Sequence, residues 1–234
     1  TSLNLPGRQE ELLKAVCATG KPVVLVLLDG RASSINYAAA HVPAILHAWF
    51  PGEFCGQAVA EALFGDYNPG GRLAVTFPKS VGQIPFAFPF KPGSDESSST
   101  SVYGVLYPFG HGLSYTTFSY GDLKISPLRQ GVQGDINISC KIKNTGKIKG
   151  DEVVQLYLRD EVSSVTTYTK VLRGFERISL EAGEEQMVHF RLRPQDLGLW
   201  DKNMNFRVEP GKFKVMIGSS STDIRLHGRF EIAP

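Results

Sequence analysis

The feature of this sequence that most constrains its fold is a change in hydrophobic pattern near Ser80. Before Ser80, segments with helical spacing alternate with continuous apolar runs, which are typical of helices packed on a parallel sheet. After it, short segments alternate apolar and polar residues and are separated by glycine-containing turns, which is typical of antiparallel strands. The sequence therefore predicts an α/β layer, with a mostly parallel sheet, followed by an all-β domain.

The first part of the chain predicts two helices and three strands. "RQEELLKAVCATG" and "GEFCGQAVAEALFG" have helical spacing, whereas "PVVLVLL", "AILHAWF" and "RLAVTF" are apolar runs of strand length. In the first helix, one apolar face comprises Leu12, Leu13, Val16 and Cys17. In the second, the residues able to face the sheet are Phe54, Ala58, Ala62 and Leu63.

The second part predicts a β-sandwich. Segments such as "DINISCKIKN", "DEVVQLYLRD" and "KFKVMIGSSS" alternate in polarity, and about seven such strands suggest an immunoglobulin or fibronectin type III shape. We place the domains at residues 1–116 and 117–234. The segment "YPFGHGLSYT" is expected to join them, with Tyr107, Phe109 and Tyr115 buried, and the serine-rich stretch Ser94 to Ser101 is expected to be mobile.

Composition argues against several partners. The formal net charge of +2 is small and the basic residues are scattered, so no nucleic-acid surface is predicted. The longest apolar runs are far shorter than the roughly 18 residues of a membrane span, so no membrane partner is predicted. The histidines and cysteines show no metal-ligand spacing, and we predict neither a metal nor a cofactor. The first residues lack a signal-peptide pattern, and the chain reads as if it began within a longer protein.

Three residues are candidates for a position near a ligand. Asp29 follows the first predicted strand, at the sheet edge where open α/β sheets bind ligands, although a turn or cap role before "GRASS" is the favoured interpretation. Arg31 could bind a carboxylate or a sugar hydroxyl, or could form a structural ion pair. His111 lies between two glycines in an aromatic loop, unlike the other histidines, which are interpreted as packed or surface residues.

A series of motifs resembles one enzyme family. The motifs are "PVVLVLLDGRA", "AILHAWFPGEFCGQAVAEALFGDYNPGGRLAVTFP", "GQIP", "YPFGHGLSYTTF", "GDEVVQLYL", "LRGFERISLEAGE" and "VEPGKFKVMIGSSS". Through them the chain resembles, over almost its whole length and in the same order, the C-terminal part of glycoside hydrolase family 3, the β-glucosidase and β-xylosidase group. Ala32, Cys55 and Ala74 depart from common family residues, which affects loop stiffness and packing and leaves substrate choice open.

The resemblance implies a retaining β-glycosidase that hydrolyses terminal β-linked sugars of an oligosaccharide substrate. Family members carry a barrel domain with the nucleophilic aspartate, then an α/β sandwich domain with the acid/base glutamate, then often a fibronectin type III-like domain. We expect both carboxylates, and the N-terminal barrel, to lie outside this chain. No catalytic residue is therefore assigned, and the isolated chain is predicted to be inactive and to serve as a scaffold in a periplasmic or secreted enzyme.

Two other interpretations remain open for the β-sandwich. It could bind carbohydrate independently through surface aromatics, or it could support the α/β domain mechanically. Strand alternation places most of the available aromatics in packed positions, which favours structural support. The aromatics concerned are Tyr157, Tyr168, Phe175 and Trp200.

Overall fold

The structure is a computed structural model that describes residues 2–86, 88–93 and 104–234. The chain forms two compact units. Among the described residues, the first unit comprises residues 2–67, 74–86, 88 and 104–109, and the second comprises Asn68–Leu73, residues 89–93 and Gly110–Pro234. Within the described part, each helix is too short or too polar to cross a lipid bilayer.

The first unit is an α/β layer. Its elements are α1 (Gln9–Cys17), β1 (Val24–Leu27), α2 (Asn36–His41), β2 (Ala44–His47), α3 (Cys55–Phe64) and a 3-10 helix (Val81–Phe86). β1 and β2 pair in parallel, with Leu27 opposite His47. The helix–strand order and the parallel pairing confirm the predicted fold class for this part of the chain.

The predicted helix faces are only partly buried. Leu13 of α1 and Ala62 of α3 are buried, but Leu12, Val16, Phe54 and Leu63 are exposed. The expectation that Phe54 and Leu63 face the sheet is therefore wrong. In the described part of the chain this sheet has two strands of four residues each, which offers a helix little surface to cover.

The predicted third strand, "RLAVTF", does not form a strand beside β1 and β2. Within the first unit, its last residue, Phe77, forms an isolated antiparallel bridge with Tyr107, and the Phe77 amide donates to the Tyr107 carbonyl at 2.8 Å. Pro78 follows immediately and has no amide hydrogen to extend a ladder. The apolar run thus predicted burial for Phe77 alone, since Ala74 and Val75 are exposed, and it did not predict the partner.

The second unit is a two-sheet sandwich, as predicted. Its strands are β3 (Phe118–Ser126), β4 (Arg129–Gly131), β5 (Ile136–Asn144), β6 (Gly150–Asp160), β7 (Val171–Leu180), β8 (Glu185–Leu192), β9 (Leu199–Trp200), β10 (Phe206–Arg207), β11 (Gly211–Gly218) and β12 (Ile224–Ala233), with the short helix α4 (Pro194–Leu197). The sheets have the orders β4-β12-β11-β6-β7 and β3-β5-β8, and β9 and β10 form a separate hairpin.

Alternation in the sequence produces the core between these sheets. In β5, Ile136, Ile138, Cys140 and Ile142 point inward and are buried, while Asn137 between them is exposed. β5 pairs antiparallel with both β3 and β8, so its apolar side chains lie in the centre of the smaller sheet. Burial of these side chains stabilises the sandwich by about 1.5 to 3 kcal/mol each.

The aromatic segment Tyr107 to Thr116 contains the point where the two compact units divide, between Phe109 and Gly110. Phe109 stacks on Phe88 within the first unit, with 4.7 Å between ring centroids. Tyr107 and Phe109 are only half-buried and Tyr115 is exposed, so the expected full burial of these rings is wrong. The stretch Ser94 to Ser101 lies outside the described residues, and the domain boundary after residue 116 stays a prediction.

Candidate functional site

Asp29 closes the turn that follows β1. Its Oδ1 accepts a hydrogen bond from the Arg31 amide at 3.1 Å, and its Oδ2 accepts one from the Ser33 hydroxyl. The side chain is half-buried, at the carboxyl end of the parallel strands. The carboxylate is therefore oriented by its own turn, as the turn interpretation requires, in a place where α/β sheets bind ligands.

Arg31 is exposed and its guanidinium is held by the beginning of the chain. Nη1 donates to the Ser2 carbonyl and Nη2 to the Asn4 carbonyl, each at 3.2 Å. Both hydrogen bonds go to neutral backbone oxygens. The described contacts of the guanidinium therefore include no ion pair with a carboxylate. Arg31 and Asp29 are brought together by one turn.

His47 and Trp49 extend this edge of the sheet from β2. The His47 ring lies 4.2 Å from the Trp49 ring and 5.2 Å from the Phe77 ring, both in edge-on geometry. Burial lowers the pKa of His47, and this effect exceeds the opposing influence of the Asp29 carboxylate and the Arg31 backbone. Trp49 has a φ of 54°, which is strained for a bulky residue.

The sequence analysis interpreted His47 as a packed or surface histidine, and its ring contacts with Trp49 and Phe77 fit the packed interpretation. The sequence held one indication that His47 lies near Asp29. His47 ends β2, which pairs with β1, the strand that Asp29 follows.

His111 belongs to the second unit and lies in a tightly packed turn. Its carbonyl accepts a hydrogen bond from the Leu73 amide at 2.8 Å. Burial lowers the pKa of the half-buried ring, Arg72 acts in the same direction and Asp223 opposes it. The neutral imidazole is thus favoured, which suits hydrogen bonding to a neutral ligand.

Both glycines beside His111 are required by close contacts. Gly110 has a φ of 82°, and a Cβ there would lie 2.2 Å from Oε1 of Gln155. A Cβ at Gly112 would lie 2.4 Å from the Gly71 carbonyl oxygen. Gln155 also donates from Nε2 to the carbonyls of Gly110 at 3.2 Å and Ser219 at 2.6 Å, which fixes the turn on β6.

A buried ion pair lies in the same unit as His111. Arg72 Nη2 donates to Glu152 Oε1 at 2.7 Å, and the two side chains are 8% and 2% exposed. Sequence reasoning missed this pair, since the partners are far apart in the chain and neither belongs to a motif of charged residues. The described residues contain no group of three or more histidine, cysteine or acidic side chains placed to hold a metal ion.

Known protein families match both units. Residues 1–115 match the glycosyl hydrolase family 3 C-terminal domain, and residues 152–221 match the fibronectin type III-like domain. An α/β layer with the first match, followed by a β-sandwich with the second, defines the domain pair of a glycosyl hydrolase family 3 protein. The chain belongs to glycoside hydrolase family 3, and the relatives that it matches are named β-glucosidases and β-xylosidases.

The relatives are considerably longer than this chain. A β-xylosidase from Formosa agariphila is 45% identical over 94% of the chain, which covers 31% of that relative. A periplasmic β-glucosidase from Salmonella typhimurium is 40% identical over 99% of the chain, which covers 32% of it. A solved β-glucosidase from Erythrobacter marinus superposes with a TM-score of 0.94 at 42% identity, over 99% of this chain and 31% of its own. The chain thus spans about a third of the length of these relatives.

Proposed function

We propose that this chain is the C-terminal region of a retaining β-glycosidase, β-glucosidase-like in activity, that hydrolyses terminal β-linked sugars of oligosaccharides. The observation that carries the proposal is the match to family 3 over both units, together with coverage of about a third of each relative's length. Because retaining hydrolysis needs two carboxyl groups about 5 to 5.5 Å apart, the whole enzyme needs a pair that this chain is not expected to contain.

The partner in this proposal is an N-terminal barrel domain that supplies the nucleophile. Exposed apolar side chains of the first unit support it, because soluble proteins seldom leave many large apolar groups uncovered. They include Leu12, Leu28, Phe50, Phe54 and Phe64. The chain then acts as a scaffold in a periplasmic or secreted enzyme, as the name of the Salmonella relative suggests.

In the whole enzyme, Asp29, Arg31 and His111 are the residues proposed to lie near the substrate. Asp29 is an oriented carboxylate, Arg31 has a guanidinium that is not paired with a carboxylate among its described contacts, and His111 is favoured in the neutral form. Groups of this kind bind sugar hydroxyls by hydrogen bonds and orient a substrate without exchanging protons with it.

The test is nitrophenol release from aryl β-glucosides and aryl β-xylosides. We expect no release by the isolated chain and release by the longer enzyme that contains it. In that enzyme, His111→Ala is expected to raise KM more than it lowers thermal stability, whereas His227→Ala, a control on β12, should leave KM unchanged. Turnover by the isolated chain that survives repurification and is abolished by Asp29→Asn would contradict the proposal.

A further inference from the structure

The β9–β10 hairpin carries an exposed cluster of large apolar side chains. We propose that this hairpin, Leu199–Arg207, is a surface binding site for a neutral β-linked oligosaccharide or polysaccharide chain. Trp200 is 58% exposed, Met204 73% and Phe206 46%. The sequence pattern had favoured packed positions for most of the sandwich aromatics, and that expectation is wrong for Tyr168, Phe175 and Trp200, which are exposed.

The rings of Trp200 and Phe206 lie side by side on one face of the hairpin. Trp200 and Phe206 are directly opposite each other in the antiparallel pair, so their side chains leave the hairpin on the same face. Their ring centroids are 5.4 Å apart, with 60° between the ring planes. A pyranose ring presents a face of C–H groups that packs on an exposed indole, and the second ring contacts its edge.

The hairpin is preorganised for binding. The buried carboxylate of Asp201 accepts hydrogen bonds from the amides of Asn203 at 2.8 Å and Asn205 at 3.0 Å, which closes the turn. Gly198 allows the Phe206 ring to approach, since a Cβ there would lie 2.3 Å from the ring. A rigid surface loses little conformational entropy on binding, which favours the weak contacts that sugars make.

The charges around the rings favour a neutral ligand. Arg207 pairs with Asp201 at 3.2 Å and lies 3.7 Å from Glu209, and the exposed Lys202 in the same turn supplies the second positive charge. The two basic and two acidic side chains of the hairpin region therefore have no net charge. Glu209 in turn accepts hydrogen bonds from the amide and hydroxyl of Ser164. Exposed Asn203 and Asn205 add amide donors and acceptors of the kind that bind sugar hydroxyls.

The patch has the size of a short sugar chain. The exposed parts of Trp200, Met204 and Phe206 amount to roughly 400 Å², given that an aromatic side chain presents about 150 to 250 Å². Two or three sugar units match this area, and the dimerisation outcome of the experiment below distinguishes a second protein chain.

The experiment is affinity electrophoresis of the longer enzyme, and of this chain, in gels that contain soluble mixed-linkage β-glucan or xylan; the choice of these polymers rests on the proposed function. We expect both proteins to be retarded. Trp200→Ala should weaken the apparent affinity about tenfold or more, which corresponds to about 1.4 kcal/mol, and Trp200→Phe should restore part of it. Phe175→Ala, an exposed aromatic on β7 outside the hairpin, is the matched control and should bind like the parent.

Several outcomes would overturn the proposal. The first is that neither parent protein is retarded, or that the isolated chain is retarded and the longer enzyme is not. The second is that Phe175→Ala weakens the apparent affinity as much as Trp200→Ala does. The third is a concentration-dependent dimer that Trp200→Ala abolishes. Hydrolysis of small aryl glycosides by the longer Trp200→Ala enzyme should equal that of the parent. Failure of the proposed function would appear separately, as absence of hydrolysis by the parent enzyme.

Discussion

At the scale of single residues, the Arg72–Glu152 pair is the interaction on which stability should depend most. Both side chains are almost fully buried, so removing one charge leaves the other desolvated and unpaired. Glu152→Gln keeps the side-chain volume and should cost about 3 to 5 kcal/mol of unfolding free energy. Replacing both residues by methionine should recover most of that loss. The measurement is urea unfolding of the variants and of the parent.

The neighbouring residue provides the control for this prediction. Asp151 pairs with Arg177 at the surface, where solvent screens the charges. Asp151→Asn should therefore change the unfolding free energy by about 1 kcal/mol or less. Equal losses from Glu152→Gln and Asp151→Asn would show that burial does not determine the contribution of these pairs.

Which side chains contact one another was the part of the site that the sequence predicted least well. Asp29 could be nominated because strand ends in a parallel sheet are ligand positions, and the strand itself was evident from its apolar run. Arg72 and Glu152 could not be paired in advance, because the fold alone brings them together across 80 residues. The same holds for Trp200, since a two-residue strand has no periodicity that distinguishes an outward ring from an inward one.

At the scale of elements, pattern predicted the long strands of the sandwich and the short parallel pair β1 and β2, but failed for the third predicted strand. β5 has nine residues that alternate in burial, and the alternation of apolar and polar residues in its sequence predicts this pattern. "RLAVTF" is apolar, but its tertiary position allowed only the single bridge at Phe77. Even the apolar runs of the first unit are not fully buried, since Val24, Leu28 and Val75 are exposed, and the partner of a short strand depends on the rest of the fold.

Gly110 provides a prediction about the turn that carries His111. Gly110 and Gly183 both have a φ of 82°, so alanine is strained at each. At Gly183 an added Cβ meets nothing within 4 Å, whereas at Gly110 it would meet the Gln155 side chain. Gly183→Ala should cost about 1 to 2 kcal/mol of unfolding free energy, and Gly110→Ala should cost clearly more. Thermal unfolding of both variants measures the difference, and equal melting temperatures would refute the steric contribution.

At the scale of the whole molecule, the two units differ in how much apolar surface they bury. The core of the first unit consists of Leu13, Leu27, Ile35, Ala38 and Val42. The second unit has a continuous core contributed by both sheets, in which Ile136, Leu156, Val215 and many others are almost fully buried. Because burial of apolar surface is the main stabilising contribution in folding, the second unit should be the more stable.

The isolated chain should therefore unfold in two steps, with the first unit unfolding at the lower urea concentration. The sequence has two tryptophans, Trp49 in the first unit and Trp200 in the second, so fluorescence of a Trp200→Phe variant reports on the first unit alone. The midpoint of the Trp49 fluorescence transition should occur at a lower urea concentration than the loss of amide-exchange protection in β5, β6 and β11. In the proposed longer enzyme, the proposed barrel should cover Leu12, Phe54 and Phe64 and move the Trp49 transition to higher urea, because those side chains would gain burial. Coincident transitions in the isolated chain would mean that the two units unfold cooperatively. An unchanged Trp49 transition in the longer enzyme would mean that the exposed apolar side chains are not where the barrel binds.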